Sequence, residues 1–329
     1  MTKNISYTAI TYFLVRASFI GLSFKLLLTN SNHNVYFNIL VASFIGIIPL
    51  FFLNRIAAYK ENLTIRDKAL YLFPKLYLPI IGTLFLISLF FGIITFNNLL
   101  NFTNINFLNK TPIYVVALAF LSPLLMIISH DMKILARVAL ILFYIAIFLF
   151  LICLAGLIPS TDLYLVTPSL NKTSIVTFIG MHISPLFMLL MFPNNKIRKS
   201  LSVGYIIGVI SLLITAVTII GVLGIELAVL YHYPELHALR SMDYYQWANI
   251  LSLIWILDMF ILCALSFYFA NYLLNLINWQ KYIIPIIIFI SGLLFAKNSP
   301  PFIEYLSILS TSSFLLLLIL FNIKITIKK

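Results

Sequence analysis

Ten stretches of this chain run apolar between polar breaks, most of them for about 18 residues or more. They lie near 6–28, 35–53, 76–97, 112–129, 138–158, 174–192, 201–225, 248–276, 282–296 and 303–325. At 1.5 Å rise per residue, about 20 such residues cross a bilayer core about 30 Å thick. The ninth stretch is short at 15 residues, with Trp279 and Tyr282 supplying an interfacial belt. Composition agrees: 62% of the 329 residues are hydrophobic and 9% are charged, against roughly 25% charged in an ordinary soluble domain. An all-α polytopic membrane protein is the expected class, and a soluble enzyme, a secreted disulfide scaffold and a disordered tail are excluded.

Local features point the same way. Cys153 and Cys263 fall inside apolar stretches without a CxxC or a neighbouring His, so they read as small buried hydrophobes rather than metal or redox ligands. The N-terminal run carries Arg16 and Lys25 and no small-residue cleavage site, so it reads as a retained first helix. The net charge of +12 invites a nucleic-acid reading, but the basic residues are scattered among loops instead of clustering on one polar face. Metal-ligand spacing, a P-loop and a nucleophile elbow are all missing from the sequence, so no enzyme activity and no cofactor are expected.

The basic residues orient the chain. Lys3, Arg55, Lys60, Arg66, Lys68, Lys75, Lys133, Arg137, Lys196, Arg198, Lys199, Lys281, Lys324, Lys328 and Lys329 fall on one side of the ten-span arrangement. Only Lys110, Lys172, Arg240 and Lys297 fall on the other. The positive-inside rule places the first set, and with it both termini, in the cytoplasm. Within the 54–75 connector, Thr64-Ile-Arg-Asp67 fits a helix-starting capping pattern. There Ile65, Ala69, Leu70, Leu72 and Phe73 are expected in the interface while Arg66 and Lys68 face water. A plain connector helix and a regulatory contact are the two readings of that segment.

The loop 159–173 divides the chain into a first half, 1–158, and a second, 174–329, of five spans each. An odd number of spans per half makes any structural repeat inverted, as in many secondary transporters. Three ionisable or polar groups lie near the middle of their spans: Arg16 roughly 12–15 Å into the first, His182 about 12 Å into the sixth and Asp258 about 15 Å into the eighth. Such residues cost several kcal/mol unless paired or hydrated, so they are functional pointers. Lys25 lies within a turn of its span's outer end and snorkels. Arg16-Ala-Ser-Phe-Ile-Gly21 and Gly180-Met-His-Ile-Ser-Pro185 place small residues with Gly or Pro in the middle of the corresponding first and sixth helices. Helices broken there expose backbone groups, and half-helix N-termini attract a carboxylate. The expected ligand-binding set is Arg16, Ala17, Ser18, Gly21, Gly180, His182, Ser184 and Asp258, holding a small zwitterion such as an amino acid. The bland alternatives are packing kinks, a satisfied packing histidine, and an Arg16–Asp258 pair that only neutralises itself.

Ten spans in a 5+5 division with broken helices 1 and 6 resemble the amino acid–polyamine–organocation transporter superfamily. Arg137-Val-Ala-Leu-Ile-Leu-Phe and Leu189-Leu-Met-Phe-Pro193 resemble patterns of the endospore germinant-receptor B subunits (the GerAB type). So does Tyr233-Pro-Glu-Leu-His-Ala-Leu-Arg240-Ser-Met-Asp243-Tyr-Tyr, followed by Trp255 and Phe260, which is similar to that family's Pro-x-x-x-x-x-Arg…Asp-Phe signature. The hydropathy match covers nearly the whole chain, the residue match about 137–275. The resemblance implies a nutrient-sensing membrane subunit in the spore inner membrane, working with a larger A subunit and a lipoprotein C subunit. Departures are visible. Family members often carry Gly-Glu around Ile183-Ser184, where this chain has no acid. The Arg and acid usual after the Asp-Phe step correspond to Trp247 and Asn249. These differences bear on the ligand, not the fold. A permease of the same superfamily, and a subunit whose site has degenerated, are the rival expectations.

Overall fold

The computed structural model describes residues 2–18, 35–130, 132–162, 184–191, 197–231, 233–241, 247–274, 278–295 and 303–328. Among them the fold is all-helical, with no strand. The α-helices are α1 (Thr2–Ser18), α2 (Val35–Ile45), α3 (Ile47–Ala58), α4 (Ile65–Leu72), α5 (Tyr77–Asn106), α6 (Ile113–Ser129) and α7 (Met132–Leu157). They continue as α8 (Ile197–Leu230), α9 (Pro234–Arg240), α10 (Ala248–Leu251), α11 (Leu253–Leu274), α12 (Ile283–Phe295) and α13 (Ile303–Ile327). A 3₁₀ segment, Ser184–Met191, lies between α7 and α8.

Among the described residues, six stretches are long and apolar enough to cross a membrane: Val35–Ala58, Pro74–Asn106, Met132–Ser160, Ser200–Leu230, Ala248–Leu274 and Leu309–Ile327. They correspond to the expected second, third, fifth, seventh, eighth and tenth spans. The fourth and ninth appear as shorter apolar helices, Ile113–Ser129 and Gln280–Leu294. The expected first and sixth spans fall partly outside the described residues. The protein is therefore a polytopic membrane protein.

Burial separates the helices by role. The α10–α11 stretch is 72% buried inside the bundle, while Met132–Ser160 is only 22% buried. On α7, Ile141, Tyr144, Ile145, Phe148, Leu151 and Ile152 are exposed at helical spacing, so one stripe faces outward, where lipid is its natural solvent. The central α11 packs most extensively on α5, and α1 packs on α8, α11 and α7. Small residues allow the α1–α8 approach. A Cβ added at Gly204 would meet the Thr11 Cβ and the Thr8 carbonyl at 2.6 Å, and one at Gly208 would meet the Val15 side chain at 2.9 Å. Gly204-Tyr-Ile-Ile-Gly208 is thus a working small-xxx-small contact of the kind membrane helices use.

Two expectations change. The third span extends past 97 to Asn106, making α5 roughly 45 Å long. The polar run Asn97, Asn98 and Asn101 does not stop the helix, because Leu99, Leu100 and Phe102 between and beside these residues are buried and hold it in register. The 54–75 connector forms α4 with the expected capping box: Thr64 and Asp67 exchange bonds, the Asp67 amide donating to Thr64 Oγ1 and the Thr64 amide to Asp67 Oδ2. Lys68, however, does not face water. It is 4% exposed, and its Nζ donates to the Ile56 and Ala57 carbonyls at 2.8 and 3.1 Å. An ammonium at a helix C-terminus satisfies carbonyls that lack intrahelical partners, and that outweighs hydration here. Ile65, Ala69, Leu72 and Phe73 are buried in the bundle, leaving Leu70 exposed.

Candidate functional site

The centre of the site is a buried ion pair. Arg16 stands in the last turn of α1 and Asp258 in the first half of α11. The Arg16 Nε donates to Asp258 Oδ2 at 2.7 Å, and the side chains are 1% and 0% exposed. Among the described residues it is the only ion pair within 4 Å. One turn back along α1, the Tyr12 hydroxyl accepts from Arg16 Nη1 at 3.1 Å. The i, i+4 spacing stacks these two side chains on one helix face. The guanidinium also lies 4.7 Å from the centroid of the Phe150 ring of α7, within cation–π range. Tyr12 meets Phe143 of α7 edge-on at 5.0 Å. Charge pairing, one hydroxyl and two aromatic faces together make a cation tolerable in this apolar interior.

The site is not fully satisfied. Asp258 Oδ1 and Trp255 Nε1 are buried without a hydrogen-bond partner among the described residues. A buried carboxylate oxygen or indole N–H in that condition carries a desolvation penalty of about 1–3 kcal/mol. Next to the pair lies a small cavity of about 20 Å³, lined by Arg16, Phe150, Thr215, Thr218, Glu235 and Trp255 with apolar neighbours. That is room for about one water.

Glu235 comes from the loop between two spans. Pro234 occupies the first turn of α9, and its fixed φ suits a helix start. Burial of Pro234, Leu236, Ala238 and Leu239 seats this short helix against α7, α8 and α10. An aromatic bracket holds it. Phe102 of α5 meets Tyr233 edge-on at 5.0 Å and lies 6.4 Å from Trp255, while Tyr231 stacks on His237 at 3.7 Å. Glu235 is 5% exposed, and desolvation pushes its carboxyl up from 4.5 to about 8, opposed only by a backbone hydrogen bond. His237 moves the other way, pulled down by burial and then by Arg240.

Of the expected ligand-binding residues, the structure brings Arg16 and Asp258 into contact and buries Ala17 at 0% exposure. Ser18 is the last residue of α1 and Ser184 the first of the 3₁₀ segment; their side chains lie outside the description. Gly21, Gly180 and His182 lie outside the described residues. The segment Ser184–Met191 packs on α1, α3 and α11. Its eight residues of 3₁₀ helix are long for that geometry, and such runs often mark hinges.

Sequence reasoning missed Tyr12, Phe150, Thr215, Thr218 and the cavity-facing role of Glu235. Tyr12 carried a signal, standing four residues before a buried arginine. Glu235 carried one too, since it follows Pro234 in the Tyr233–Asp243 motif, yet its loop position made it look solvated. The α7 and α8 residues carried none, because an apolar helix does not show which face meets a partner. No protein-family model matches the chain, and no curated protein matches its sequence.

Proposed function

We propose that this protein is a nutrient-sensing membrane subunit of the spore germinant-receptor B type, which receives a small zwitterion, an amino acid by preference, beside the Arg16–Asp258 pair. The observation that carries this reading is the joining of a buried, unevenly satisfied ion pair to a cavity closed by an outer-loop helix. Arg16 offers a carboxylate partner, while Asp258 Oδ1 is an acceptor in search of a donor such as an ammonium. Among the described residues the cavity is about 20 Å³, far below the roughly 300 Å³ of a small-ligand site, and in this reading α9 covers it. Entry requires α9 to move, and a ligand that prefers one position of α9 shifts the population of states. In this reading the signal passes to an A subunit and a lipoprotein C subunit in the spore inner membrane. Both termini are cytoplasmic, in keeping with the basic connectors.

A second reading, a permease of the same superfamily, is favoured by one specific observation. Glu235 lines the cavity with a carboxyl raised to about 8, which is the kind of group proton coupling uses.

The test joins two measurements on purified full-length protein. Uptake of labelled amino acids into proteoliposomes is recorded beside ligand-dependent thermal shift. A thermal shift without uptake supports the receptor, uptake supports the permease, and neither response from any common amino acid sinks both. Bulky replacements of Gly21 or Gly180 are expected to abolish the response while the protein still accumulates; unchanged response in both removes the broken-helix part of the proposal.

A further inference from the structure

The opposite end of the bundle carries a second site. Where α3 and α13 finish together lies a cavity of about 380 Å³, walled by Phe51, Asn54, Arg55, Tyr59, Lys60 and Ile325. Its position follows from the spans, since Val35–Ala58 and Leu309–Ile327 both end at this level. Phe51 is 59% exposed on the apolar side, while Arg55 and Lys60 supply the polar side. Arg55 Nη2 donates to Thr326 Oγ1 at 2.8 Å and ties the two helix ends together. Lys60 adopts φ 41°, a backbone conformation uncommon outside Gly, Asn and Asp, in a turn closed by the Leu63 amide on the Lys60 carbonyl. From there its ammonium sits 3.4 Å from the Tyr71 ring centroid, and Lys328 Nζ sits 4.2 Å from the same centroid.

Among the described residues, the cations that meet at this end form no ion pair. Asp67 is occupied by the Thr64 cap, and neither Asp67 nor Glu61 lines the cavity. No carboxylate among the described residues lies within 4 Å of Arg55, Lys60 or Lys328. Two ammoniums sharing one ring repel each other, and the ring only partly offsets this. Among the described residues, the buried Asn54 Oδ1 has no hydrogen-bond partner, so the wall of the cavity is polar at this point.

We infer that this cavity binds a phosphate-type anion between Arg55 and Lys60, presented by an acidic phospholipid headgroup or by free phosphate. The chemistry is that of anion capture at a bilayer boundary: cations above an apolar shelf, in a volume that fits a headgroup. Bound there, the anion bridges the 54–75 connector to the C-terminal helix and relieves the Lys60–Lys328 repulsion.

The experiment is native mass spectrometry of the full-length protein with phosphatidylglycerol or phosphatidylcholine, repeated with inorganic phosphate as competitor. Preferential retention of phosphatidylglycerol is expected. Arg55→Gln or Lys60→Gln alone should weaken it roughly fivefold, and the two together about twenty-fivefold. Arg55→Lys should restore most of the binding, and Lys133→Gln, which removes an exposed charge from the first turn of α7, should leave it intact. Efficient competition by inorganic phosphate assigns the site to the free anion; inefficient competition assigns it to the lipid. Equal retention of both lipids with no phosphate binding overturns the inference. So does a loss after Lys133→Gln as large as that after Lys60→Gln.

Discussion

Two short helices close the two ends of this bundle, and each buries one ionisable group. Helix α4 buries Lys68 and α9 buries Glu235, at 4% and 5% exposure. The difference lies in what each group touches. Lys68 donates to two carbonyls that α3 leaves open, so its burial completes the end of a helix. Glu235 faces a cavity shared with Arg16, and its carboxyl has only a backbone bond to oppose desolvation. A buried charge supplied with acceptors reads as architecture, and a buried carboxyl that borders a cavity and is pushed toward its neutral form reads as a site. Their pH signatures are also opposite. The Glu235 carboxyl, raised from 4.5 to about 8, makes the folded state hold more protons than the unfolded, so stability falls as pH rises through that window. The Lys68 amine, lowered by burial from 10.5 to about 8 against a pull from Glu61, makes the folded state hold fewer, so stability rises between about 8 and 10.5.

The largest expected effect is at the ion pair that lies beside the Glu235 cavity. Arg16→Met leaves Asp258 buried and unpaired and should destabilise by about 3–5 kcal/mol, with ligand response lost. A charge swap, Arg16→Asp with Asp258→Arg, should recover part of the stability in thermal melts; a swap no better than the single change denies the pair its role.

Glu235→Gln comes next. The Glu235 carboxyl should contribute a loss of up to about 1.4 kcal/mol per pH unit between about 4.5 and 8, and the variant should lack that component of the slope. Identical pH profiles of melting temperature would mean that Glu235 is as well satisfied as Lys68, and the contrast between the two ends would fail.

Lys68→Met should destabilise by about 1–3 kcal/mol, since two carbonyls at the end of α3 lose their donor, while ligand response stays intact. A lost response in a well-folded Lys68→Met protein would make α4 more than a connector. The smallest effect is at the cap of the same helix. Thr64→Ala should cost about 1 kcal/mol, visible as faster hydrogen exchange confined to residues 64–72.

Much of this architecture was legible in the sequence. Apolar runs marked the spans, because a membrane allows few alternatives to a helix with all its backbone bonds made internally. The Thr64–Asp67 box was legible for a similar reason, since capping involves only four consecutive residues. Arg16 and Asp258 could be picked out one by one, as charges in places that penalise charge. The extension of α5 past Asn97 could not, because it depends on which side of the helix meets α11.

What the chain determined by itself is therefore local or one-dimensional: span positions, the cap, the basic bias of the connectors and the residues too polar for their surroundings. The tertiary structure decided the rest. It paired Arg16 with Asp258 across 242 positions, folded Glu235 from a loop onto their cavity, and turned Lys68 from water to the end of α3. Periodicity says that a helix has faces, but only packing decides which face meets which neighbour. The energy of a buried charge depends on that neighbour.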